Sequence, residues 1–191
     1  MLDADQIYKN KLKYMELLTK LNIDLTSLYK YLEEKDFFNK PATAQYYRAY
    51  PGGLCQYAID FCYELAQLAN AYFPGKYSEQ DIIKVALFKD LYRAELYESY
   101  MKAVKNDATG QWEQQLAFKN KEQRPTFGDI NFGSYMIAKR YIDFTDEQIE
   151  AITQANAKNE YAGDIHTIMR SYPLVTLTKM ADLATMYLGE I

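Results

Sequence analysis

The sequence predicts a mainly α-helical bundle carrying one small β-hairpin, on three observations. Leu54, Ala58, Phe61, Leu65, Leu68 and Tyr72 recur at alternating spacings of four and three, which lines one face of a helix. Helix-start signatures stand at Ser78 with Asp81 and at Thr145 with Gln148, where a short side chain can cap an amide three residues on. The interval Asn106-Asp107-Ala108-Thr109-Gly110 is rich in turn formers and separates two segments, 97–105 and 111–119, that read as the arms of a hairpin. The first arm retains some helical character.

Taken in order, 4–21 places Ile7, Leu12, Met15, Leu18 and Leu21 at loose helical spacing, and a second helix is expected over 25–34. Both read as packing helices. Between 35 and 53 the periodicity breaks, and the aromatics Phe37, Phe38, Tyr46, Tyr47 and Tyr50 make a loop that must dock on the body of the protein. The helix that starts at Leu54 ends before Pro74-Gly75. The next follows Ser78, buries Ile82, Val85 and Ala86, and reaches at least Leu91. Trp112 sits on the hairpin. Further helices are expected over 130–141, over 146–157, and after Pro173, where Leu174, Leu177, Ala181, Ala184 and Leu188 keep helical spacing. No internal repeat, low-complexity stretch or linker interrupts the chain, so one domain spans 1–191.

Composition narrows the function. The chain is 49% hydrophobic and 25% charged over 191 residues, enough for one filled core. A formal net charge of -4 gives no general attraction to nucleic acid or anionic lipid, so neither is expected as a partner. The basic run from Lys9 to Lys13 is broken by Asn10 and Leu12 and reads as a solvated helix face. Cys55 and Cys62 fall two turns apart on one helix, roughly 10 Å, too far for a disulfide. With no signal-peptide pattern and no apolar run of about 18 residues, a cytoplasmic location is expected. Nineteen tyrosines exceed what one core can bury with satisfied hydroxyls, which favours a protein-binding surface.

A resemblance covers most of the chain. Phe37-Phe38-Asn39-Lys40-Pro41-Ala42, then Tyr46-Tyr47-Arg48-Ala49-Tyr50-Pro51-Gly52-Gly53-Leu54, resembles the opening of HD-domain phosphohydrolases of bacterial and phage genomes. Three later stretches match in the same order. Ala86-Leu87-Phe88-Lys89-Asp90-Leu91 stands where relatives end an apolar run in His-Asp-Leu, and Asn106 to Trp112 is similar to their Asn-x-x-Thr-Gly-x-Trp turn. Tyr172-Pro173-Leu174 with Met180-Ala181-Asp182 is similar to their Pro-Leu and His-x-Ala-Asp helix. The resemblance implies an HD-like bundle, with packing helices in 1–35 and the HD-like core in 36–191, and a phage or mobile-element origin. It would place the protein in the host cytoplasm or a virion.

The departures carry the functional expectation. An HD site needs imidazoles and carboxylates converging on a divalent metal that acidifies water and holds phosphate oxygens. By the resemblance, the family histidines fall on Tyr47, Tyr57, Lys89 and Lys179, and two more near Ile130 and near Ala155 or Asn156; the aspartates survive as Asp90 and Asp182. Ammonium groups at Lys89 and Lys179 would stand where the cation belongs and pair with Asp90 and Asp182.

Three readings follow for this set. The first is a buried polar network in a catalytically inactive, HD-like scaffold or protein-binding module that holds no metal and no cofactor. The second is an anion pocket, in which Arg48, Lys89, Arg93 and Lys179, with Tyr47 and Tyr57 as walls, would take a nucleotide or phosphate without metal. The third, a divergent metal-dependent phosphohydrolase, suits the residues least. His166 lies outside the matched positions, near the start of a short helix, and reads as an exposed or capping residue. Gly52-Gly53 lacks the strand and lysine of a phosphate loop and reads as a tight turn. Asp143, Asp146, Glu147 and Glu150 read as a solvated first turn that stabilises a helix dipole.

Overall fold

A computed structural model describes residues 2–122, 126–155 and 162–188. Helix α1 (Ala4–Thr19) starts where Asp3 accepts from the Gln6 amide at 2.7 Å, and it buries Tyr14, Leu17 and Leu18. Leu12 stays exposed, so the stripe is narrower than its sequence pattern. Helix α2 (Thr26–Glu34) follows, then a single 3₁₀ turn (Phe37–Asn39) whose two phenylalanines pack on Tyr14 with ring centroids 5.0 and 5.8 Å away. Phe37 and Phe38 dock as expected, whereas Tyr46, further along the loop, is exposed.

That loop closes on itself. The Ala42 amide donates to the Arg48 carbonyl at 3.1 Å, and the Thr43 hydroxyl donates to the Tyr47 carbonyl at 2.8 Å. Arg48 takes a left-handed backbone (φ 49°), and a Cβ at Gly53 would lie 2.2 Å from the Arg48 carbonyl oxygen. Only glycine allows that approach, so the Gly52-Gly53 turn is set by packing.

Helix α3 (Gly53–Tyr72) is central, touching α1, the 3₁₀ turn, α4 (Glu79–Phe88) and the last helix. Its first half is buried on several sides, including Cys55, Tyr57, Ile59 and Cys62, whereas its last stripe residue, Tyr72, is exposed. Both cysteines are free thiols, and burial pushes the Cys62 thiol up to about 11. Helix α4 opens with a full capping box between Ser78 and Asp81.

Helix α4 ends at Phe88, short of the expected Leu91. Lys89 caps it, and the chain turns through Asp90, Leu91 and Tyr92 into the single-turn helix α5 (Arg93–Leu96). Helix α6 (Ile130–Ala138) holds the turn: Asn131 Nδ2 donates to the Lys89 carbonyl at 2.9 Å, and the Tyr92 amide donates to Ser134 Oγ at 3.0 Å. Satisfying those groups from another helix removes the reason to continue α4.

Strands β1 (Tyr97–Lys105) and β2 (Trp112–Asn120) pair antiparallel as a two-stranded ribbon, so the first arm is strand rather than helix. Helix α7 (Asp146–Thr153) starts at the Thr145 capping box and ends before the expected boundary, part of which lies outside the described residues. Helix α8 (Ala162–Ser171) carries His166 in its middle, exposed as expected. Helix α9 (Pro173–Tyr187) begins with proline in its first turn. One cluster of buried apolar residues joins side chains from α1, α2, α3, α4, α6, α7 and α9. No helix among the described residues is long and apolar enough to cross a membrane.

Candidate functional site

The residues singled out in the sequence meet where α3, the end of α4 and α9 converge. Tyr57 comes from α3, Lys89 and Asp90 from the turn after α4, Arg93 from α5 and Asp182 from α9. All are buried: Lys89 is 1% exposed, Asp90 4%, Asp182 5% and Arg93 7%. An isolated charge at such depth would cost several kcal/mol, so each must be paired.

Lys89 Nζ donates to one oxygen of Asp90 and, at 2.6 Å, to Asp182 Oδ1. Arg93 Nε donates to the other Asp90 oxygen, Oδ1, at 2.5 Å, and its Nη1 reaches the Ala42 carbonyl at 3.2 Å and the Tyr97 hydroxyl at 3.3 Å. The Tyr57 hydroxyl donates to Asp182 Oδ1. Two cations and two carboxylates sum to no net charge. Rings complete the cage, with Lys89 Nζ 4.6 Å from the Phe61 centroid and 5.1 Å from that of Tyr57, whose ring is tilted against Tyr47 at a centroid distance of 5.2 Å.

Ionisation follows from this geometry. Burial alone would raise the Asp90 carboxyl, but the Lys89 and Arg93 charges outweigh it and hold Asp90 down at about 2. Burial alone would lower the Lys89 amine, and the Asp90 and Asp182 carboxylates more than reverse that, raising it above its ordinary value. Burial, and after it the Asp182 and Asp90 charges, push the Tyr57 phenol well above its usual range, and burial chiefly takes Tyr47 up to about 12. At neutral pH Lys89, Arg93 and Asp90 are charged and both phenols are neutral.

Lys179 departs from expectation. Its Nζ donates to the Ala155 carbonyl at 3.4 Å and makes no ion pair with Asp182, although the two lie three residues apart on α9. Asp182 turns into the buried interface beside Tyr57, while the half-buried Lys179 runs toward the end of α7; burial lowers its amine, with Asp182 acting in the opposite sense. Lys89 alone serves both aspartates.

The four residues expected to bind an anion do not present an open cationic wall. Lys89 and Arg93 are enclosed with their carboxylates, Lys179 is engaged at Ala155, and the buried Arg48 pairs with Asp60 at 2.8 Å while lying 5.6 Å over the Tyr57 ring. What does open to solvent beside Tyr47 is an apolar cleft of about 490 Å³, lined by Tyr46, Tyr47, Met186 and Tyr187.

These residues do not fit a divalent metal. Carboxylate oxygens of both aspartates are directed at the Lys89 amine, so a cation there would have to displace an ammonium group held by both. Among the described residues, no three His, Cys, Asp or Glu side chains converge as a ligand set.

Three pairings lie outside what the sequence patterns indicate: Arg93 with Asp90, and Glu147 with Tyr77 and with Leu174. The pairing of Arg93 with Asp90 was open to an i, i+3 reading on the turn after α4. Glu147 was read as solvated, yet its Oε1 accepts from the Tyr77 hydroxyl at 2.7 Å and from the Leu174 amide at 3.0 Å, tying α7 to the α3–α4 loop and to the start of α9. No local signal marks those partners.

No family model, no curated protein and no solved structure matches the chain.

Proposed function

We propose that this chain is a catalytically silent, HD-like protein that works by binding another protein. One observation carries the reading: the Lys89 amine is shared by Asp90 and Asp182 in a buried, charge-balanced cluster. An HD hydrolase would use those carboxylates to grip its metal. Here they are consumed by an internal cation, which leaves no activated water and no Lewis acid for a phosphoester. The cluster is then structural, holding α9 against α3 and the end of α4.

Protein binding is favoured by the aromatic and aliphatic groups left at the surface near that cluster. Tyr46 is 84% exposed, and Tyr187, Leu183 and Leu188 on and after α9 are each more than half exposed. Exposed tyrosine is enriched at interface centres, where charged residues are depleted. A second reading, a metal-independent nucleotide or phosphate binder, is favoured only by the cleft at Tyr46, Tyr47, Met186 and Tyr187, whose rings could sandwich a planar base.

A thermal-shift panel of nucleotides and inorganic phosphate, with and without Mn²⁺, combined with a phosphoester turnover assay, separates the readings. The silent binding module predicts no shift with any of them and no turnover. Stabilisation by a nucleotide without metal, lost in Tyr47→Ala, would promote the second reading, and Mn²⁺-dependent turnover would overturn both.

A further inference from the structure

The β1–β2 ribbon is amphipathic. The cross-strand pairs Tyr97–Asn120, Ser99–Phe118, Met101–Leu116, Ala103–Gln114 and Lys105–Trp112 share one face, because pairs two apart point the same way. Tyr97 and Phe118 are buried at the base, whereas Met101 is 57%, Leu116 41% and Trp112 70% exposed. An apolar stripe therefore starts in the core and runs out into solvent. The other face carries most of the charge, with Glu98 and Lys119 paired at 3.0 Å and Lys102 and Glu113 beyond Tyr100 and Ala117. A lone two-stranded hairpin is marginal in water, and no third strand covers either edge among the described residues.

We propose that β2 is a self-association edge, on which two copies of this chain pair antiparallel about Leu116 to form a four-stranded sheet. Register supports it. The Asn106 amide donates to the Gln111 carbonyl at 2.8 Å at one end of the ribbon, and the Lys121 amide to the Leu96 carbonyl at 2.9 Å at the other. Hydrogen-bonded pairs alternate between these limits, so residues 112, 114, 116, 118 and 120 turn their backbone groups outward.

A two-fold axis at Leu116 sets Leu116 against itself, Gln115 against Ala117, Gln114 against Phe118, Glu113 against Lys119 and Trp112 against Asn120. All nine residues of β2 are matched. Two Glu–Lys pairs form, no like charges meet, and Met101–Leu116–Leu116–Met101 becomes one apolar row across four strands. Edge β1 is a poorer match, since Glu98 meets Lys102 only in a register about Tyr100 that leaves Val104 and Lys105 outside. The ribbon carries three lysines and three acids over 97–120, so its lack of net charge fits its own copy rather than a polyanion.

An edge of about 30 Å is smaller than a standard interface, so the dimer is reversible at micromolar concentration. Sedimentation equilibrium from about 1 to 200 µM tests it. The wild-type chain should dimerise; Glu113→Lys and Lys119→Glu should each weaken association about tenfold, because each places like charges opposite one another twice. An equimolar mixture of the two variants should recover a heterodimer, in which every facing pair is again Lys with Glu. Leu116→Pro, which removes an outward amide, should leave monomer with its helical circular dichroism intact. A wild-type chain that is monomeric throughout, a dimer indifferent to both charge variants, or a mixture no tighter than its components would each overturn the proposal.

Discussion

Lys89 Nζ lies 2.6 Å from Asp182 Oδ1, joining positions 93 residues apart in the chain. That contact, with the Asp90 carboxylate on the same amine, closes α9 over the end of α4. Its energetic character is conditional: a complete buried network is tolerated, but an incomplete one is not.

Lys89→Met therefore tests the network at its most sensitive point. Among the described residues it leaves Asp182 with the Tyr57 hydroxyl and Asp90 with Arg93, so two carboxylates face each other across a buried gap. The expected loss is about 3–5 kcal/mol in urea unfolding. Combining it with Asp182→Asn should recover a substantial part of that loss, because the second change removes the uncompensated charge. Additive losses would mean that the residues do not form one unit.

Stability should fall at both ends of the pH scale. The folded Asp90 carboxyl is held at about 2, below its unfolded value of about 3.9, so its contribution is complete above about pH 4 and is lost as pH falls through 2. Lys89 and Tyr57 are raised in the folded state, so what they contribute is complete below about pH 10 and is lost as pH rises through their folded values. Urea midpoints measured across pH should show both limbs. Asp90→Asn should flatten the acid limb and also weaken the alkaline limb, because the Asp90 charge helps to raise both Lys89 and Tyr57.

Glu147 is the second tie between distant elements. Glu147→Ala removes the acceptor for the Tyr77 hydroxyl and for the Leu174 amide at the start of α9. A loss of about 2–3 kcal/mol is expected, the range for charge-assisted bonds with buried or half-buried donors. Glu150→Ala, on the same helix without such a bridge, should change the urea midpoint far less. Equal effects would return Glu147 to the role of a solvated, dipole-stabilising residue.

Local chemistry was legible in the sequence, and side-chain direction was not. The capping boxes at Ser78 and Thr145, the Asn106–Gly110 turn and the proline opening α9 each act within four residues, and each stands where its pattern placed it. The end of α4 was overrun because Lys89, Asp90 and Leu91 continue a helical pattern. The turn is fixed by Asn131 and Ser134, which are 42 residues away from the groups they bind. At the cluster, Asp90, Asp182, Lys89 and Tyr57 were found together, but Lys179 was not among their partners, since a spacing of three fixes a face and leaves a long side chain free to run either way along it. The partners of Glu147 were invisible for the same reason that its charge was misread. Local sequence carries a helix's first turn and says nothing of the loop packed above it.

An internal amine, rather than a metal ion, satisfies Asp90 and Asp182. Calorimetric titration of Mn²⁺ into the wild-type protein and into Lys89→Met tests this most directly. The expected result is no binding by the wild type and weak, stabilising binding by the variant, whose freed carboxylates are restrained by the added cation. One equivalent of Mn²⁺ taken up by the wild-type protein, with affinity lost in Asp182→Asn, would contradict it.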